Sequence, residues 1–277
     1  MADAELTLHE AAEVLGVHYM TAYRYVRLGL LPAVKSGGTW RVAATDVESF
    51  HTGAAATAPA GGRRRVAWAE RLESRLVAGD SRGAWGVVEA ALTSGAALDE
   101  VYLDILAPAM ASIGTRWLAG ELDVSVEHRA SGIAMRIVGR LGPRFVRRGR
   151  TRGAVVVGAA AGERHSLPVA LLADLLRGQG WDVSDLGADV PEASFVHAAL
   201  TTPDLVVVGI SVTTDEVLPS AASVLGALAE AVPGVLLVVG GAAVRDEAHA
   251  LSLGAHAYAR DGRMFAALLE SRPAIAG

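Results

Sequence analysis

The residue types best suited to cofactor chemistry fall between Trp117 and His165. Nine residues separate Trp117 from the pair Glu127-His128, and Glu163-Arg164-His165-Ser166 follows further on. A neutral imidazole is a good transition-metal ligand, and a carboxylate beside its other nitrogen fixes the tautomer. Val124, Glu127 and His128 lie within about one helical turn and share a face. The first half of this span reads as helix and the second as a strand ending in a loop, so His128 and His165 can face each other across a flat ligand. Taken singly, the residues read more plainly: Trp117 as a core aromatic, His128 as a satisfied polar group, His165 as an exposed loop residue.

The elements behind His165 form an alternating series. Strands are predicted over 154–157, 181–186, 205–210, 235–239 and 257–259, and helices over 167–179, 193–201, 218–232, 245–253 and 262–270. Val-rich strands without polar alternation imply a parallel sheet covered on both faces. Residues 151–277 therefore read as a flavodoxin-like, Rossmann-related α/β domain. Such domains bind ligands at the carboxyl ends of their strands. Those ends carry Glu163, Arg164, His165 and Ser166 after the first strand, Ser211 and Thr213 after the third, and Gly240-Gly241 after the fourth. Glycines there let a flat or extended group approach the backbone. Neither a Gly-x-Gly-x-x-Gly fingerprint nor a P-loop is present, which disfavours nucleotides.

Ahead of this domain, residues 66–148 read as a four-helix bundle with helices over 66–78, 81–94, 98–119 and 124–138. Asp80 is the expected cap of the second. Residues 53–62 are small and uncharged, Arg63-Arg64-Arg65 follows, and 53–65 reads as a flexible tether.

Residues 1–52 have a different character. A helix is predicted over 6–16, with Thr7 as N-cap and Glu10 completing a capping box. A second runs over 18–28. Two short strands over 31–42 flank Gly37-Gly38 as a hairpin wing. A closing helix over 44–50 takes Thr45 or Asp46 as its cap. Helix, glycine turn and helix make a helix-turn-helix. From His18 to Ala44 the charged residues are Arg24, Arg27, Lys35 and Arg41, with no acid among them. That local excess suits phosphate contacts.

Composition narrows the function. The chain has 277 residues and a formal net charge of -5, so nucleic-acid binding must be local. It has no cysteine, which excludes disulfides, thiolate metal sites and thiol catalysis. No apolar run is long enough for a membrane span and residues 1–10 lack signal-peptide character, so a cytoplasmic protein is expected.

These motifs resemble known families. Roughly the first fifty residues resemble the winged helix-turn-helix of the MerR and excisionase group, nearer its short excisionase-type form. The resemblance implies that Tyr19, Thr21 and Arg24 enter the major groove of operator DNA, and that Arg27, Lys35 and Arg41 hold the phosphate backbone. Trp40 reads as wing core. Gly162-Glu-Arg-His-Ser-Leu-Pro168, then Ser211-Val-Thr213, then Gly240-Gly241 resembles a cobalamin-binding module, whose pattern is Asp/Glu-x-His-x-x-Gly, Ser-x-Leu or Ser-x-Thr, and Gly-Gly. The resemblance implies His165 as lower ligand to cobalt, with the displaced nucleotide tail near Ser211, Gly240 and Gly241. Pro168 stands where the family has Gly.

Trp117 with Glu127-His128 is similar to the signature of CarH and LitR-type photoreceptors, which are transcriptional repressors rather than enzymes. There the Trp and Glu surround the 5′-deoxyadenosyl group. The resemblance implies assembly on DNA with adenosylcobalamin in the dark, usually as a tetramer, and release on illumination. In well-known members a His follows the Trp and captures cobalt after photolysis; here that position is Leu118. Two other readings stand beside this one: a light-independent regulator sensing cobalamin or another ligand, and a corrinoid carrier for a methyltransferase. The second leaves the DNA reader unexplained.

Overall fold

The computed structural model describes residues 5–15, 17, 19, 22, 26, 31–36, 39–51 and 67–270, with the backbone alone at 35–36 and 48–51. The expected tether over 53–65 lies outside these residues. The chain forms two compact units, Met1–Val66 and Ala67–Gly277.

The first unit contains β1 (Glu5–Thr7), α1 (Leu8–Val14), β2 (Val34–Ser36), β3 (Thr39–Ala43) and α2 (Ala44–His51). The capping box forms as expected. The Glu10 amide donates to Thr7 Oγ1 at 3.3 Å, and the Thr7 amide donates to Glu10 Oε2 at 2.7 Å. Helix α1 begins at Leu8 and not at Leu6, because Leu6 pairs with Val42. The wing is therefore three-stranded, in the order β1-β3-β2. Ser36 pairs with Thr39, which leaves 37–38 as the connection between β2 and β3. Helix α2 starts ahead of both expected caps, so Thr45 and Asp46 sit in its first turn. Tyr19, Ala22 and Val26 are helical, and Ala22 and Val26 close on Leu8, Ala11, Leu31, Val42 and Val47. Trp40 packs against this core, as expected.

The second unit opens with α3 (Trp68–Ala78) and α4 (Ser81–Thr93). Asp80 caps α4 by accepting from the Gly83 amide at 2.8 Å. The helix expected over 98–119 is interrupted. It comprises α5 (Leu98–Glu100), a π-helical turn (Val101–Leu106) and α6 (Ala107–Leu118). Pro108 is the reason: it has no amide to donate, and its ring would meet the carbonyl four residues earlier. Widening by one residue relieves this, and the Ala107 amide reaches back to the Tyr102 carbonyl. Helix α7 (Val124–Leu141) follows. Leu72, Leu76, Val88, Ile113, Ile133 and Leu141 form the bundle core, which continues into Leu171 and Leu175 of the α/β region.

That region contains β4 (Ala154–Ala159), α8 (Leu167–Gly178), β5 (Asp182–Asp185), α9 (Glu192–Thr201), β6 (Leu205–Ser211), α10 (Leu218–Ala231), β7 (Leu236–Gly240), α11 (Glu247–Ser252), β8 (Ala257–Ala259) and α12 (Gly262–Glu270). The sheet order is β5-β4-β6-β7-β8, parallel throughout. This is the flavodoxin-like order, with the switch point between β4 and β6. All six residues of β4 are buried, as the unalternating Val run predicts. Among the described residues, no helix is long and apolar enough to cross a membrane.

Candidate functional site

The loop after β4 holds the chemistry. Glu163 is buried, yet its carboxylate is fully engaged. Its Oε2 accepts from both the amide and the hydroxyl of Thr213, each at 2.6 Å. Its Oε1 lies 2.5 Å from His165 Nδ1 and accepts from the His165 amide at 3.1 Å. The Thr213 hydroxyl oxygen also lies 2.8 Å from Nδ1. Burial alone would raise the Glu163 pKa, but the bonds from His165 and Thr213 outweigh it and bring it down to about 2. The Glu163 hydrogen bond raises the His165 pKa; burial opposes this, and the charges of Glu163 and Glu127 add to it. With Nδ1–H tied to oxygen, Nε2 is the free electron-pair donor. The His165 side chain is 50% exposed.

A second loop braces the first. Asp189 adopts a left-handed backbone with φ 57°. Its Oδ1 accepts from the Gly162 amide at 2.7 Å, and its own amide donates to the Glu163 carbonyl at 2.7 Å. Sequence reasoning missed Asp189. The signal was its place in Gly187-Ala188-Asp189, a turn after a strand's carboxyl end, where Asp tolerates the left-handed region.

The bundle supplies the facing side. Asp123 caps α7 by accepting from the Ser125 amide at 2.8 Å. One turn on, Glu127 Oε1 accepts from the Ser131 hydroxyl at 2.6 Å, and Oε2 lies 2.7 Å from His128 Nδ1. The Glu127 charge is close enough to act on His165. Trp117 and Leu118 end α6 and Val124 begins α7, at exposures of 38%, 79% and 45%. Trp117 is thus not a buried core aromatic but part of an exposed apolar set at adjoining helix ends.

The other expected residues divide. Ser211 ends β6 and, with Gly240 and Gly241, lines a groove of about 100 Å³ that continues past Gly158, Leu172 and Phe265. The glycines have a structural cause that the sequence did not reveal. A Cβ on Gly240 would lie 1.9 Å from the Ala259 carbonyl oxygen, and one on Gly241 would lie 2.2 Å from that of Val212. Close approach of the chain to itself requires them, whatever a ligand does. Arg164 is exposed, and Ser166 precedes α8 without a side-chain capping bond. Pro168 falls in the first turn of α8, where no intrahelical bond needs its missing amide.

In the reader, Arg41 lies on β3 and Lys35 on the adjacent β2. Tyr19 is partly buried and packs against the domain core, with its ring centroid 5.0 Å from that of His9. Thr21, Arg24 and Arg27 lie outside the described residues.

The donor set fits a macrocyclic metal cofactor. Among the described residues no three His, Cys, Asp or Glu side chains group to hold an ion. His165 stands as a single imidazole donor with its rear nitrogen anchored, an arrangement that could serve a metal already held by a macrocycle. The groove beyond Ser211 leads away from that loop between the sheet and its covering helices.

Comparison with known proteins agrees with this chemistry. Residues 153–269 match a family model described as a B12 binding domain, and residues 68–141 match a second with the same description. Residues 5–53 match a helix-turn-helix domain. No curated protein sequence gives a significant match. The monomethylamine corrinoid protein of Methanosarcina barkeri superposes with a TM-score of 0.65 at 21% identity, covering 74% of this chain and 98% of that one. A cobalamin-binding protein from Desulfitobacterium hafniense DCB-2 gives 0.40 at 19% identity, over 72% of this chain and 95% of that one. The methanol:cobalamin methyltransferase complex of Methanosarcina barkeri gives 0.39 at 16% identity, over 76% of this chain and 83% of that one. By the family models, a helix-turn-helix domain is followed by two regions that match B12 binding domains.

Proposed function

We propose that this cobalamin-binding regulator uses adenosylcobalamin as a light sensor, with His165 as the lower cobalt ligand. The observation that carries the cofactor assignment is the Glu163–His165–Thr213 cluster, which leaves Nε2 of His165 as the free donor. Adenosylcobalamin supplies a cobalt–carbon bond that light cleaves. Glu163 holds the imidazole in one tautomer and orientation. Ser211, Gly240 and Gly241 line the groove that takes the nucleotide tail. Trp117, Val124, Glu127 and His128 cover the opposite face, and Arg164 and Ser166 border the loop.

In this reading the filled cleft fixes the bundle against the α/β region and presents a surface for self-assembly, to a tetramer if like the resembled group. Assembly gathers several weak DNA readers and raises their effective concentration on an operator. Trp117 and Glu127 would hold the upper group of the bound cofactor; without that group their contacts would be lost and the assembly would come apart. The module acts as a cytoplasmic repressor switch and not as an enzyme.

One observation favours a second reading, a light-independent cobalamin sensor. Leu118, 79% exposed beside Trp117, has no donor atom for a metal. Size and visible spectrum of the adenosylcobalamin-loaded protein, recorded in the dark and after green light, separate the two. A fall in size on illumination supports the light switch. An unchanged assembly that still depends on cobalamin establishes the light-independent sensor instead.

A further inference from the structure

The segment joining α7 to β4 has no part in the cofactor site, yet it concentrates charge. Four of the seven residues 144–150 are arginine: Arg144, Arg147, Arg148 and Arg150. No Asp or Glu occurs from Gly142 to Gly162. All four side chains are exposed, and none forms a salt bridge among the described residues. Nearby cations are used differently. Arg177 is paired with Asp174 at 3.0 Å, and Arg152 lies over the Trp181 ring at 4.8 Å. In a chain of net charge -5, four exposed guanidinium groups within seven residues, none of them in a salt bridge among the described residues, form a local positive surface that attracts anions.

The segment is held at both ends. Phe145 is buried in the bundle core, its ring 4.7 Å from that of Tyr102. The Arg152 stack on Trp181 fixes the other end. Between them, Arg147, Arg148 and Arg150 border a hollow of about 260 Å³, in which Asp182 is the one carboxylate among the lining residues. Its position also matters. Short connections make successive bundle helices antiparallel, and Arg129 Nη2 donates to the Val77 carbonyl at 2.9 Å. The end of α3 therefore meets the first part of α7. The start of α3, where the chain arrives from the helix-turn-helix, lies at the same end of the bundle as Leu141 and the arginine segment.

We infer that residues Arg144–Arg150 form a second DNA contact, a sequence-independent surface for the phosphate backbone, on the cofactor-binding unit itself. Guanidinium groups suit phosphate oxygens through paired N–H donors. A small tethered reader gains affinity when the unit carrying it also holds the duplex. The inference rests on the DNA-reading part of the proposed function and is independent of light.

The test uses the full chain loaded with adenosylcobalamin in the dark, titrated with mixed-sequence duplex DNA at a series of salt concentrations. Each phosphate contact contributes about 0.9 to the slope of log K against log salt. Combined Arg147→Ala, Arg148→Ala and Arg150→Ala is expected to reduce that slope by about 2 to 3, with cobalamin spectrum and particle size unchanged. Lysine at the same three positions is expected to restore most of it. Should the triple variant fail to fold, Arg150→Glu alone reads the same effect as a slope lowered by about 1. DNA binding by the wild type with an unchanged slope in these variants overturns the inference and leaves the reader intact. So does loss of binding to phosphatidylserine vesicles in place of DNA. Absence of any DNA binding by the wild type overturns the DNA-reading function, and this inference with it.

Discussion

Glu163 Oε1 stands 2.5 Å from His165 Nδ1, while Glu163 Oε2 takes two hydrogen bonds from Thr213, fifty residues along the chain. One buried carboxylate thus ties the loop after β4 to the end of β6 and aims the imidazole. Outer partners of this kind change metal affinity by about 10- to 100-fold when removed. Glu163→Gln is expected to weaken cobalamin binding by about that factor, measured by visible titration. His165→Ala is expected to abolish the histidine-ligated spectrum altogether. Wild-type affinity in the Gln variant would show that the carboxylate serves the loop fold alone.

Tyr102 and Asp174 form a buried polar contact between bundle and α/β region, beside the exposed Arg263–Asp104 ion pair at 3.1 Å. The Tyr102 hydroxyl donates to Asp174 Oδ2 at 2.9 Å, and Asp174 also accepts from Arg177 at 3.0 Å. Burial, and then the Asp174 charge, push the phenol pKa up, so it remains a neutral donor. Tyr102→Phe leaves a buried carboxylate oxygen short of one donor, at a cost of about 1 to 3 kcal/mol. Urea unfolding of the cofactor-free protein measures this. A change within about 0.5 kcal/mol, as for ordinary surface substitutions, would mean that water replaces the hydroxyl.

Asp123 caps the helix that carries Glu127, a residue of the proposed upper pocket. The hydroxyl and amide of Ser125 lower its pKa below the ordinary 3.8. A depressed carboxylate contributes stability that is complete above its unfolded value and lost as pH falls through the lowered folded value. Its pH dependence is therefore confined to the range below 3.8, and at neutral pH the cap is intact. Asp123→Ala should fray the first turn of α7, which carries Glu127, and reduce affinity for adenosylcobalamin more than for hydroxocobalamin. Asn retains the capping oxygen, so Asp123→Asn should behave like the wild type at neutral pH. Equal losses for both cobalamins would detach Glu127 from the upper face.

What could be read in the sequence was mostly local. The Thr7–Glu10 box and the Asp80 cap need only residues three apart. Strands β4, β6 and β7 showed because parallel strands buried on both faces carry unbroken apolar runs, whereas the edge strand β5, Asp182-Val-Ser-Asp185, has only Val183 buried. What escaped depends on distant partners. Leu6 leaves its helix to pair with Val42. Tyr102 meets Asp174 only once the bundle docks on α8. The π-turn was signalled by Pro108, but a Pro near a helix start is also compatible with a plain new helix. Asp189 carried a turn signal without showing which loop it would brace. His165 was legible as a donor; its Glu163 and Thr213 anchors were legible as nearby types, and their contacts came from the sheet order.

Gly240 and Gly241 put that difference to a test. Their reading from sequence was ligand approach, whereas the geometry assigns them first to the fold. An added Cβ would sit 1.9 Å from the Ala259 oxygen at Gly240, and 2.2 Å from the Val212 oxygen at Gly241, where φ is +110°. Neither obstacle is a side-chain end that can swing away; both are backbone carbonyls in or beside the sheet. Gly240→Ala and Gly241→Ala should therefore each lower the stability of the cofactor-free protein by about 3 kcal/mol or more, seen in urea unfolding without cobalamin. Ser211→Leu is the contrasting change, since Ser211 borders the groove. It should lower cobalamin affinity while leaving cofactor-free stability near the wild-type value. If the glycine variants instead kept full stability and lost only cobalamin binding, ligand approach would be their cause and the backbone argument would fail.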